Sequence, residues 1–149
     1  INIHSLTVSE TERKGISRLT IVIHHESREA VEKLVRQIRK VIEVLAVFGY
    51  LNEDIAYNEI AMFKISTPIG AKPLDIETIN KVYKAWVVYW DLSYVIIQKT
   101  GTEEEIFEFF DYIKPHEILE FVRSGRVAVS KSPHTLVDYL PEAQWEYYQ

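Results

Sequence analysis

The stretch INIHSLTVSETERKGISRLTIVI, residues 1–23, decides the fold. Its apolar and polar side chains alternate with a period of two, the signature of half-buried strands. Residues 4–9 read as a first strand with Leu6 and Val8 on one face. Residues 17–25 read as a second, with Leu19, Ile21 and Ile23 on one side and Thr20, Val22 and His24 on the other. Between them, residues 9–14 form a polar loop that ends at Gly15.

Working outward, Ser27 is a natural N-cap, and Glu29 falls in the first turn, where a negative charge suits the helix dipole. Val31, Leu34, Val35, Ile38 and Ile42 recur at helical spacing and predict one buried stripe. Residues 41–50 are rich in branched side chains and predict a strand, although the switch from helix to strand is blurred. The first half is therefore β-β-α-β. A polar connector over 51–56 leads to a second half that opens with a strand over 57–67. Pro68, Gly70 and Pro73 make a loop. Asp75 caps a helix with Ile76, Ile79, Val82 and Tyr83 on its apolar face. Residues 86–90 and 94–100 form a hairpin across Asp91-Leu92-Ser93. Thr102 and Glu105 have capping-box spacing, and the helix behind them shows Ile106, Phe109, Phe110 and Ile113 on one face and ends by Pro115. A last strand is expected over 125–130. This order, β-α-β-β-α-β, is the split βαβ or ferredoxin-like arrangement.

The first half repeats that order without its opening β-α. A ferredoxin-like sheet has its first strand at the centre, so two strands of the first half each want a neighbour. The expectation is that preceding residues or a neighbouring chain supply it. The fold class is thus α+β, two ferredoxin-like units, the first lacking its opening strand and helix in this chain. The expected division is 1–51, 57–131 and an aromatic tail, 132–149. The tail carries Tyr139, Trp145, Tyr147 and Tyr148 with little periodicity. It is read as a segment packed on its own domain or, alternatively, as a docking segment for a partner.

Composition sets limits on function. At 149 residues, 47% hydrophobic and 26% charged, the chain has the make-up of a globular protein of one domain or two small ones. Its longest apolar run, residues 86–90, is strand-sized and far short of the roughly 20 residues of a membrane span. It contains no cysteine, which excludes disulfides, thiolate metal sites and cysteine nucleophiles, and fits a cytosolic protein. A net charge of −5 opposes nucleic-acid binding.

Several motifs then carry a specific resemblance. Asn2-Ile3-His4-Ser5-Leu6-Thr7-Val8 followed by Ser17-Arg18-Leu19-Thr20-Ile21 resembles the regulatory (small) subunit of acetolactate synthase, where N-I-x-S-L-T-V precedes S-R-x-T-I. The helix segment EKLVRQI, residues 32–38, and Val41-Ile42-Glu43-Val44 match the elements that follow. Tyr57-Asn58-Glu59-Ile60-Ala61 is similar to V-E-R-E-L-A, with Asn58 where Arg is usual. Val122-Arg123-Ser124-Gly125-Arg126-Val127-Ala128-Val129-Ser130-Lys131 is similar to A-R-[ST]-G-x-V-[AG]-[LM]-S-R. The resemblance is collinear over residues 1 to about 131, and is by pattern only across 67–94.

The resemblance implies an ACT domain, an amino-acid-sensing βαββαβ unit, followed by a second ferredoxin-like domain. It implies a non-catalytic, cytoplasmic chain with no cofactor of its own. The chain would bind a catalytic (large) subunit that uses thiamine diphosphate, Mg²⁺ and FAD, raise its activity, and confer feedback inhibition by valine or another branched-chain amino acid. Such chains form homodimers through the ACT sheet, with the effector at the dimer interface. Of the family's effector contacts, the start of this strand is present here as Asn2 and Ile3. An Asn side chain both donates and accepts, so it can serve an α-carboxylate or an α-ammonium; otherwise it merely caps a strand end. The alternative function is a stand-alone ACT-type amino-acid-binding module regulating a different metabolic enzyme. A small enzyme on the same scaffold is the third class.

Other candidates read more plainly. His24 and His25 are adjacent on a strand and point to opposite faces, so they do not share a metal ion; His116 and Glu117 follow Pro115 in a loop. No metal site is expected. Glu103, Glu104 and Glu105 read as helix-dipole compensation. Trp86, Tyr89 and Trp90 read as core or interface packing, with ligand stacking as the alternative. No Ser-His-Asp set, nucleophile elbow or phosphate-binding glycine loop is visible, so no catalytic residue is assigned.

Overall fold

The computed structural model describes residues 2–24, 27–134 and 138. The chain divides into two compact units. The first comprises residues 1–56 and 126–149, and the second residues 57–125. The elements run β1 (Ile3–Glu10), β2 (Ser17–Ile23), α1 (Arg28–Ile38), a 3-10 turn (Asn52–Asp54), β3 (Ile55–Ser66), α2 (Ile76–Lys81), β4 (Ala85–Trp90), β5 (Tyr94–Gly101), α3 (Glu103–Ile113), β6 (Ile118–Arg123) and β7 (Val127–Ser130). The protein is α+β, as expected.

In the second unit β3 crosses the sheet centre, antiparallel to β5 on one side and to β6 on the other, in the order β4-β5-β3-β6. That is the ferredoxin-like topology. Ala61, Phe63 and Ile65 alternate on the inner face of β3 and are fully buried. They meet Ile97 from β5, Ile79 from α2, and Ile106, Phe109 and Ile113 from α3 in one core. Phe63 sits edge-on to Phe109 at 5.1 Å and lies 4.8 Å from Phe121. The caps read from sequence are formed: Asp75 Oδ1 accepts from Thr78 N–H, Thr102 Oγ1 from Glu105 N–H, and Glu105 Oε2 from Thr102 N–H.

Two expectations for this unit are revised. The fourth strand is β6, and residues 127–130, expected to close this unit, form a further strand, β7, that belongs with the first unit. β6 hides from a period-two reading because its register shifts opposite Lys64 and Ile65. With that bulge, Ile118 and Phe121, three apart, both turn toward the core. The helix α2 ends at Lys81, and of its expected apolar face only Ile79 is fully buried; Ile76 and Val82 are exposed.

In the first unit β1 and β2 form a two-stranded antiparallel sheet. Gly15 takes φ +80° in the loop between them, where a glycine carries no Cβ penalty. Thr11 Oγ1 donates within the loop and accepts from Arg13 N–H. Ser27 caps α1 by accepting from Ala30 N–H. The strand expected over 41–50 is absent: these residues are turns and irregular backbone. A strand exists only as one of a pair, and among the described residues no strand lies beside this segment to satisfy its backbone. The stripe expected on α1 is half-buried at Val31, Leu34, Val35 and Ile38. None of its residues is fully buried, and Ile42 lies beyond the helix end and is 95% exposed. Gly49 packs against the helix instead; a Cβ there would fall 2.5 Å from Val31 Cγ1 and 2.9 Å from Val35 Cγ2. The 3-10 turn is held by Leu51 N–H donating to Asp54 Oδ2, and Arg28 pairs with Asp54 and Glu53 at 3.5 and 3.7 Å. Arg126 reaches Asn52 Oδ1, and Lys131 reaches the Glu53 carbonyl. Most of the tail, residues 135–137 and 139–149, lies outside the described residues, so the reading of Tyr139, Trp145, Tyr147 and Tyr148 does too.

Candidate effector site

The two residues singled out for effector contact stand at the open end of the β1–β2 sheet. Asn2 precedes the strand and is exposed; Ile3 is its first residue and is also exposed. The Asn2 carbonyl accepts from His24 N–H at 3.4 Å, which closes the end of the ladder. Ile3 pairs with Ile23, and the register then shifts so that Ser5 faces Val22. His4 is therefore the extra residue of a β-bulge.

The bulge has a consequence that residue spacing hides. It brings His4 against His24 on the neighbouring strand, with His24 Nε2 and His4 Nδ1 2.8 Å apart and the rings edge-on, 4.4 Å between centroids. His24 thus finds its partner across the sheet; His25 lies outside the described residues. Farther along β1, Ser5 Oγ and Thr7 Oγ1 are shielded from solvent and have no hydrogen-bond partner among the described residues. Two unsatisfied hydroxyls in one row are unusual, since shielded polar groups are normally paired. The opposite face of the sheet is apolar and open: Leu6 is 56% and Val8 64% exposed, across from Ile21 and Leu19.

The remaining candidates separate. His116 sits in the turn after α3, its N–H bonded to the Ile113 carbonyl. Glu105 serves the helix cap and Glu103 pairs with Arg123 at 3.1 Å. Trp86, Tyr89 and Trp90 lie on edge strand β4 and are not core: all three are exposed, Trp90 at 76%. Trp90 borders an apolar groove of about 370 Å³ with Leu74, Val87 and Tyr94, and with Asp91 at its margin. No group of three or more His, Asp or Glu side chains gathers as a metal site among the described residues. Among those residues, no helix is long and apolar enough to cross a membrane.

The two family-like motifs at the ends of the second unit meet in space. Ala61 pairs with Arg123, the Ile60 N–H donates to Ser124 Oγ, and the Ser124 N–H donates to the Ile60 carbonyl. Glu59, only 2% exposed, lies 3.4 Å from Arg123 Nε, and Arg123 also holds Glu103. A buried carboxylate without such a cation is costly. Both motifs are legible in the sequence, whereas the pairing of Glu59 in one with Arg123 in the other shows only in the fold.

Comparison with known proteins agrees with these motifs. The family described as small subunit of acetolactate synthase matches residues 58–132, and the acetolactate (acetohydroxyacid) synthase small-subunit-like ACT domain matches residues 1–46. The acetolactate synthase small subunit of Bacillus subtilis is 34% identical over 87% of this chain and 75% of its own length. That of Mycolicibacterium smegmatis is 32% identical over 89% of this chain and 76% of its own. The crystal structure of the small subunit from Thermotoga maritima superposes with a TM-score of 0.76 at 25% identity, covering 89% of this chain and 82% of that one. The chain belongs to the acetolactate synthase small-subunit family.

Proposed function

We propose that the chain is a non-catalytic regulatory subunit that binds an acetolactate synthase catalytic subunit, raises its activity, and makes it sensitive to valine or another branched-chain amino acid. The observation that carries this reading is the small-subunit identity extending over most of the chain, with both family motifs in place and in contact at Glu59 and Arg123. In this reading the cofactors, thiamine diphosphate, Mg²⁺ and FAD, belong to the cytoplasmic catalytic partner. Residues 1–51 form the ACT unit, residues 57–131 the second ferredoxin-like domain, and 132–149 an aromatic tail.

The effector reading centres on Asn2 and Ile3. The Asn2 side chain is exposed and carries both a donor and an acceptor that suit an α-amino acid. A homodimer through the ACT sheet would set two such side chains at one interface. Regulation then means that the ligand favours one arrangement of that dimer over another.

The test is reconstitution. Purified catalytic subunit gains activity on addition of this chain, and valine reverses part of the gain; no change in rate on mixing rejects the regulatory reading. Calorimetry with valine, leucine and isoleucine on wild type and Asn2→Ala addresses the site. Weaker binding to the variant is expected, and equal binding to both removes Asn2 from it.

A further inference from the structure

We propose that His4 and His24 form a two-imidazole site for a divalent late transition metal such as zinc, nickel or copper. The proposal stands on the hairpin geometry, whichever effector the strand takes. Two ring nitrogens from adjacent strands already converge at 2.8 Å. Imidazole nitrogen suits these metals, which it binds in its neutral form at about 2.1 Å. Two such bonds at a tetrahedral angle place the nitrogens roughly 3.4 Å apart. The rings therefore need to open by roughly 0.6 Å, within reach of small side-chain torsions and without moving either strand.

The proton balance is simple. In the neutral pair one facing nitrogen carries the shared proton and the other accepts it. On metal binding that proton moves to the far nitrogen of its own ring, which is the other neutral tautomer. Both facing lone pairs are then free for the metal, and no net proton is released. The bulge at His4 turns its ring toward His24, and the Asn2 carbonyl to His24 N–H bond ties the two strand ends together beneath the pair. Two imidazoles leave the remaining coordination positions of such a metal open to water. A site of this kind is labile and responsive to the free metal concentration.

The experiment is a zinc titration of the full chain, followed by long-range ¹H–¹⁵N spectra of the imidazole rings. The His4 and His24 ring nitrogens should shift together and saturate at one equivalent. His4→Gln and His24→Gln should each lose that step, and His116→Gln should keep it. Immobile His4 and His24 resonances in the wild type would overturn the site, a result independent of how any variant folds. Retention of wild-type saturation by either Gln variant would overturn it as well. Because the readout is ring chemistry and not enzyme activity, it separates this site from the regulatory role of the subunit.

Discussion

The two units differ in element order and in what stabilises them. In the second, β3 has a hydrogen-bonded neighbour on each side and buries Ala61, Phe63 and Ile65 completely under α2 and α3. In the first, among the described residues, β2 pairs with β1 alone, α1 has no fully buried residue, and Ile16 is the one buried apolar side chain. A central strand contributes twice over: it satisfies two ladders of backbone groups, and it gives the helices a continuous apolar floor. Among the described residues of the first unit no strand has two neighbours, and there Leu6, Val8 and Leu19 are exposed and residues 41–50 are irregular.

Truncation of matching apolar residues should separate the two units most strongly. Phe63→Ala should destabilise the second unit by about 3–5 kcal/mol in chemical denaturation. Val8→Ala, at a position 64% exposed, should change stability by no more than about 0.5 kcal/mol. Equal losses would show that the first unit has a core of comparable weight. Next in size is Arg123→Met, which leaves Glu59 buried without its cation. A loss of about 3 kcal/mol is expected, and the double variant with Glu59→Leu should recover much of it.

Gly49→Ala probes the packing that the first unit does have. The new methyl group meets two β-branched side chains, whose χ1 angles are stiff, so a cost of about 1–3 kcal/mol is expected from denaturation midpoints. No loss would mean that the contact between α1 and Gly49 is loose. A smaller effect, about 1 kcal/mol, is expected for Thr102→Ala, which opens the capping box of α3.

The smallest effect is a pH dependence in α2. The Asp75 carboxyl sits below its ordinary pKa of 3.8, first because the Thr78 hydroxyl donates to it and then because the Thr78 N–H does. A lowered folded-state pKa means that this cap contributes fully above pH 3.8 and fades as the carboxyl protonates at lower pH. Carboxyl NMR titration should show the Asp75 midpoint rising toward 3.8 in Thr78→Val. An unmoved midpoint would remove the hydroxyl as the main cause.

What was legible in the sequence divides along physical lines. The caps Ser27, Asp75 and Thr102 were legible because a cap is local: the side chain bonds to a backbone group three residues on. β3 was legible because burial on one face imprints a period of two. β6 was not, because its bulge offsets the period at the point where Ile118 meets Ile65. Residues 41–50 misled for the opposite reason, since side-chain preference suggests a strand and pairing decides it. Beside the candidate site, the strand that follows Asn2 was legible from the alternation of its side chains. The His4–His24 contact was invisible, because it depends on a register shift between two strands.

The contact between Ile60 and Ser124 has a consequence for how the molecule opens. The chain enters and leaves the second unit at neighbouring points, and two hydrogen bonds and an ion pair fasten the entry strand to the exit strand. In sequence the unit is an insertion, framed by residues 1–56 before it and 126–149 after it. An insertion clasped at its base can exchange its amides as one cooperative body. Slow hydrogen exchange should therefore begin and end sharply, near Glu59 and Ser124, and the Glu59–Arg123 pair becomes the latch whose release sets the rate.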